Sequence, residues 1–203
     1  MVLLQEKTQL AANITQWMSW EAGVDLVAKT HPELEQPNII VHVARMVHTP
    51  VGSAPAGMLL YQPDPTQAPE IFGFISTDKA VGEYFGPNIF AGTPFEAAPF
   101  IQTEIDITSI KGNVGSDSIA AVQAIIKFGE TSIESYLELP TNYSYDCISR
   151  PASLLPFNEQ ALECAASSFK LTINGQAIQC TLPESSMNGG PAAAFSPSGF
   201  YSR

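Results

Sequence analysis

Two stretches of this chain carry ionisable side chains in the middle of apolar ones. The first, NIIVHVARMVH at residues 38–48, sets His42, Arg45 and His48 among Ile, Val and Met. An imidazole with an ordinary pKa near 6.5 gains and loses a proton close to neutral pH, which makes His42 a candidate general acid or base. Arg45, Met46 and His48 are candidates for holding a ligand, Arg45 by pairing with an anionic group. The second stretch is FIQTEIDITSI, residues 100–110. On an extended backbone Glu104 and Asp106 share one face about 6 to 7 Å apart, near the separation used by paired acids in glycoside hydrolysis. The same spacing is what the solvated face of any sheet presents, and that is the commoner cause.

Other chemistries fit poorly. On one regular strand His42 and His48 share a face, but six residues at about 3.3 Å place them roughly 20 Å apart, too far for one metal ion. No metal and no cofactor is therefore expected. There is no nucleophile elbow, phosphate-binding glycine loop, zinc-protease helix or calcium loop. A cysteine nucleophile served by His42 has no local sequence support.

The totals narrow the class. In 203 residues, 20 acidic side chains oppose 9 basic ones, and the basic ones are scattered singly. Phosphate backbones require clustered Lys and Arg, so nucleic acid is not an expected partner, nor is an anionic membrane surface. No apolar run approaches the roughly 18 residues of a membrane helix. Cys147, Cys164 and Cys180 are odd in number and lack paired spacing. That pattern and the absence of a signal-like leader point to reduced thiols and a cytoplasmic setting. With only 14% charged residues, the surface is apolar enough to suggest a homo-oligomer.

The elements that must position these residues follow from periodicity. Residues 8–29 space Leu10, Ile14, Trp17, Met18, Val24 and Val27 at three- and four-residue intervals, and predict an amphipathic helix ended near Lys29 and Pro32. Residues 38–182 form a β-rich body. Its strands are expected at 38–48, 57–62, 70–76, 100–110, 118–128 and 132–139, with a weaker one at 144–149. Short helices are expected at 78–85, stopped by Gly86-Pro87, and at 157–166. Residues 87–99 read as a long connection. Asn174-Gly175 marks a hairpin over 169–180 that puts Phe169, Leu171, Ile173, Ile178 and Cys180 on one face. Residues 183–203, rich in Pro, Gly and Ser, read as a disordered tail or an irregular strap.

Together these describe one α+β domain, mostly β, over residues 1–203. Its antiparallel sheet is expected to curl into a barrel or half-barrel with the N-terminal helix packed on it. The leading functional expectation is binding of a small, mostly apolar molecule in the barrel cavity. The alternatives are an isomerase, cyclase or lyase that needs no metal or nucleotide, and a structural or assembly protein. An ionisable side chain facing the cavity favours chemistry, and an aliphatic lining favours carriage.

Overall fold

Residues rich in Val, Ile, Ala and Phe bury two faces of a sheet at once, and this governs the whole architecture. The computed structural model describes residues 16–112, 118–141, 145–151 and 158–202. In chain order its strands begin with β1 (Trp17–Ala28), β2 (Ile39–Thr49), β3 (Gly52–Tyr61) and β4 (Ile71–Ser76). Helix α1 (Lys79–Tyr84) runs into a π-helical turn, Phe85–Ile89. Then come β5 (Phe100–Gln102), β6 (Glu104–Lys111), β7 (Ile119–Phe128), β8 (Thr131–Glu138) and β9 (Asp146–Pro151). The last are β10 (Asn158–Ala165), β11 (Ser168–Ile173), β12 (Gln176–Ala177) and β13 (Ala193–Ser202).

These strands form two open sheets rather than a barrel. The larger runs β5-β4-β3-β2-β1-β13-β10-β9, and the smaller runs β12-β11-β8-β7-β6. Neighbours are antiparallel except β4 and β5. Between the sheets lies the inner core, where Val24, Leu26, Val41 and Ile75 of the larger sheet share a cluster with Val122, Ile126, Leu137 and Leu171 of the smaller. Each such fully buried side chain contributes about 1.5–3 kcal/mol, so the sandwich interface is a main source of stability. The chain crosses between sheets at Thr103, which splits the expected single strand 100–110 into β5 and β6.

The hairpin forms at Asn174-Gly175 as its sequence predicts, but its second strand, β12, covers only Gln176–Ala177 and does not extend to Cys180. Both turn residues have positive φ, 53° and 76°, and Thr172 pairs with Ala177. Leu171 enters the inner core, and Phe169, Ile173, Ile178 and Cys180 pack against it. Helix α1 also forms, capped by Asp78 Oδ1 accepting from the Val81 N–H at 3.1 Å. It is not stopped at Gly86-Pro87; the coil widens, and the Phe90 N–H donates to the Phe85 carbonyl at 2.9 Å.

Three expectations are corrected. Residues 17–28 are a strand, not the end of an amphipathic helix; residues 8–15 lie outside the described residues. Strand β1 sits in the middle of the larger sheet with apolar groups on both faces, and a break in its alternation at Ala22 mimics helical spacing. Residues 158–165 are likewise a strand, because pairing with β9 and β13 overrides the local helical preference. The tail is neither strap nor disorder over its second half: Ala193–Ser202 is a central strand between β1 and β10.

The break at Ala22 belongs to a line of irregularities across the sheet. Ala22 has φ 52°, in the left-handed region that residues with a Cβ rarely adopt. Register puts Arg45 on one side of it and Pro197 on the other. Strand β2 fits Arg45 and Met46 opposite Pro55 alone, and β13 fits Ser196 and Pro197 opposite Glu163 alone. These are β-bulges, sites where proline is tolerated within a sheet. Across this line β1, β2 and β13 exchange the faces that their odd and even residues present.

One consequence is the seat of Trp20. Its indole lies on the outer face, donates from Nε1 to Ser196 Oγ at 2.9 Å and packs on the Tyr201 ring at 4.8 Å. It occupies the space a Cβ at Gly199 would fill, and reaches back over Gly23, where a Cβ would lie 2.9 Å from it. Gly199→Ala is therefore expected to lower stability by about 1–3 kcal/mol through overpacking. Urea denaturation measures this, and a change below about 0.5 kcal/mol, the size of an ordinary surface effect, would contradict the packing.

Candidate functional site

The outer face of the larger sheet is roofed by α1, the π-helical turn and the chain that follows. A second buried cluster forms there, including Trp20, Ile40, Met58, Phe74, Val81, Phe85, Ile89 and Phe90. The Phe74 ring lies 5.6 Å from Phe85 and 5.1 Å from Phe90. The Tyr84 hydroxyl fastens the roof to the sheet by donating to the Trp17 carbonyl at 3.3 Å and accepting from the Trp17 N–H at 3.2 Å.

Beneath this roof is a pocket of about 80 Å³. A water needs at least about 10–15 Å³, so the pocket has room for more than one. Its apolar walls include Met18, Trp20, Met58, Phe74, Phe85, Phe90 and Met187. Its polar groups are Asp25 from β1, His42 from β2, Asn188 from the segment before β13, and Tyr201 from β13. A few converging polar groups in an aromatic slot are the usual composition of a small-molecule site.

His42 retains 27% of its side-chain surface, but its Nε2 is buried and has no hydrogen-bond partner among the described residues. Asp25 Oδ1 stands 3.9 Å from that nitrogen, beyond hydrogen-bond range. Burial pushes the His42 pKa down from 6.5 to about 4, and the Glu163 carboxylate, which raises it, offsets only part of that effect. The ring is neutral at physiological pH.

The lining residues Asn188 and Tyr201 belong to a hydrogen-bonded group centred on Glu159, which is only 1% exposed. Asn188 Nδ2 donates to both of its carboxylate oxygens, at 3.1 and 2.9 Å, and the Tyr201 hydroxyl donates to Oε1 at 3.1 Å. Asn188 Oδ1 in turn accepts from Ser186 Oγ and from the Gly190 N–H. Burial pushes the Tyr201 pKa well above its ordinary value, and the Glu159 and Asp25 carboxylates push it the same way. This network holds the residue 186–190 turn against the sheet as a wall of the pocket.

Only one of the site residues proposed from the sequence lies here, His42. After the bulge in β2, His48 faces the opposite side of the sheet. There its Nδ1 is 2.8 Å from Ser53 Oγ and its Nε2 3.2 Å from Glu21 Oε1, while Arg45 lies 3.6 Å from Glu21 Oε2. This has the connectivity of a nucleophile, base and carboxylate, but it is solvent-exposed and lies outside the pocket walls. Met46 follows the same side. Glu104 and Asp106 are exposed on β6 at the rim of the smaller sheet, apart from the pocket. Cys164 belongs to the inner core, on the face away from His42, and burial raises its thiol pKa. Among the described residues, no group of three or more His, Cys, Asp or Glu is placed to hold a metal ion, and no helix is long and apolar enough to cross a membrane.

Sequence reasoning missed Asp25, Asn188 and Tyr201. Asp25 carried a usable signal, a lone carboxylate inside the apolar run AGVDLVA, of the same kind that singled out His42. Asn188 and Tyr201 lie in a tail whose composition conceals a central strand. No family model, curated protein or solved structure matches this chain.

The neutral state of His42 has a measurable consequence. An unfolded chain binds a proton at this residue near pH 6.5, but the folded protein does so only near pH 4. Stability from this group is therefore complete above pH 6.5 and is lost as the pH falls towards 4, by on the order of 3 kcal/mol. Denaturation of wild type and His42→Gln at pH 7 and pH 4 measures it. Wild type is expected to lose more stability than the variant by that amount, and equal losses would contradict the buried, neutral ring.

Proposed function

We propose that the protein binds a small, mostly apolar molecule in the roofed pocket on the outer face of its larger sheet. The observation that carries this reading is an aromatic and methionine-lined pocket with polar groups gathered on β1, β2, β13 and the residue 186–190 turn. The volume favours a ligand on the order of ten non-hydrogen atoms or fewer. Affinity would come from covering its apolar surface, at about 25 cal/mol per Å². Orientation would come from Asp25, His42 and Asn188.

A second reading, acid–base catalysis in the same pocket, draws on His42 and Asp25 facing inward together. Protonation behaviour weighs against it. A general base works best with a pKa near the operating pH, and His42 at about 4 is a weak proton acceptor at pH 7. Tyr201 is shifted upward, away from the range in which a phenol is an effective acid. These side chains suit recognition better than proton transfer. Assembly through a homo-oligomeric interface and a cytoplasmic setting stay compatible with this proposal, which depends on neither.

A screen of apolar fragments by ligand-detected NMR, against wild type and Ala44→Leu, tests the proposal. Ala44 lines the pocket, and leucine there would fill part of it. Fragments are expected that bind wild type and lose most of their affinity for a folded Ala44→Leu protein. No binders, or binders indifferent to the substitution, would overturn the reading.

A further inference from the structure

The charges around the pocket narrow the class of ligand. Among the described residues its walls contain one formally charged side chain, Asp25, and neither Lys nor Arg. Two more carboxylates, Glu159 and Glu163, lie close enough to act on Tyr201 and His42. An anionic ligand would enter a site of its own sign with no cation to receive it. The Tyr201 hydroxyl is already directed to Glu159.

The apolar walls are also suited to positive charge. Trp20, Tyr201, Phe74, Phe85 and Phe90 line it, and aromatic faces attract cations more strongly where water is excluded. Met18, Met58 and Met187 add polarisable thioethers. Finally, the buried His42 Nε2 has no hydrogen-bond partner among the described residues and stands 3.9 Å from Asp25 Oδ1. Two acceptors at that separation can both be reached by one ammonium group, with each hydrogen bond near the usual ~2.8–2.9 Å.

Resting on the binding reading above, we propose that the ligand is a small organic cation, an alkyl- or arylalkyl-ammonium. Its charged nitrogen sits between Asp25 and His42, and its apolar part lies among the aromatic and methionine side chains. The nitrogen donates to Asp25 Oδ1 and, after a slight rotation of the imidazole, to Nε2 in the tautomer that leaves this atom free to accept. The apolar part takes the place of water against Phe74, Phe85 and Met58.

The test compares three probes of similar shape, benzylammonium, benzyl alcohol and benzoate, by calorimetry and ligand-detected NMR at pH 7. With wild type, benzylammonium is expected to bind at least about tenfold more tightly than benzyl alcohol, and benzoate more weakly than either. Asp25→Asn is expected to remove the preference for benzylammonium over the alcohol. The ranking on wild type decides the matter even if that variant fails to fold. Equal or tighter binding of the alcohol or of benzoate would overturn the cation assignment and leave the pocket as a binding site. If none of the three binds while other fragments bind in an Ala44-dependent way, the cation assignment also fails. If no molecule of any class binds, it is the binding reading that fails.

Discussion

The line of bulges through Ala22, Arg45–Met46 and Pro197 is the constraint on which the rest of this molecule depends. A strand has one inward and one outward set of side chains, fixed by a period of two. In β1, β2 and β13 that assignment is reversed part-way along, because β2 and β13 each fit one residue more than β3 and β10, and β1 follows them at the left-handed Ala22. Strands β3 and β10 on either side keep regular alternation and take up the register shift. The left-handed backbone at Ala22 carries an energetic cost, and its neighbours hold it in place from both sides.

Reversal at this line lets one sheet serve two cores. Beyond Ala22, residues Val24, Leu26 and Ala28 face the smaller sheet, while Trp20 on the other side of the break turns to the outer face. The outer face thereby gains a large aromatic side chain in a pocket wall that also includes Gly23, Ala44, Ala56 and Gly57. Small residues among large ones leave a hollow, which the Phe85 and Phe90 side chains cover. The same reversal separates His42 from His48: the former enters the hollow, and the latter joins Glu21 and Ser53 on the opposite side.

How far all this was legible in the sequence depends on which residues carry local information. Asn174-Gly175 dictates its own turn, so the turn and the register of the pairs beside it could be read, though the second arm ends at Ala177. Asp78 caps a helix that the spacing of its neighbours predicts. Most of the strands from 39 to 138 follow from β-branched runs between turn residues, but the start of β3 at Gly52 and the break between β5 and β6 do not. By contrast, β1 packs on both faces and reverses its pattern at a left-handed alanine, so its apolar spacing approximates that of a helix. In β10, the two glutamates four residues apart, Glu159 and Glu163, resemble the charged side of a helix, yet both are buried in a sheet. Partners 29 to 44 residues away on β13 determine that outcome, and no local window contains them. For the site, His42 was legible as an ionisable group in an apolar run; its neighbours were not, because they become neighbours only through β1 and β13.

The central claim is that the outer hollow, rather than the space between the sheets, receives a ligand. Methyl NMR of methionine-labelled protein during titration with a small-molecule binder tests it directly. Met18, Met58 and Met187 line the hollow, and Met46 lies on the opposite side of the sheet. The account predicts that all three lining methyl resonances shift with a common saturation curve while Met46 stays in place. Shifts confined to Met46, or binding that leaves the three lining methionines unmoved, would contradict it.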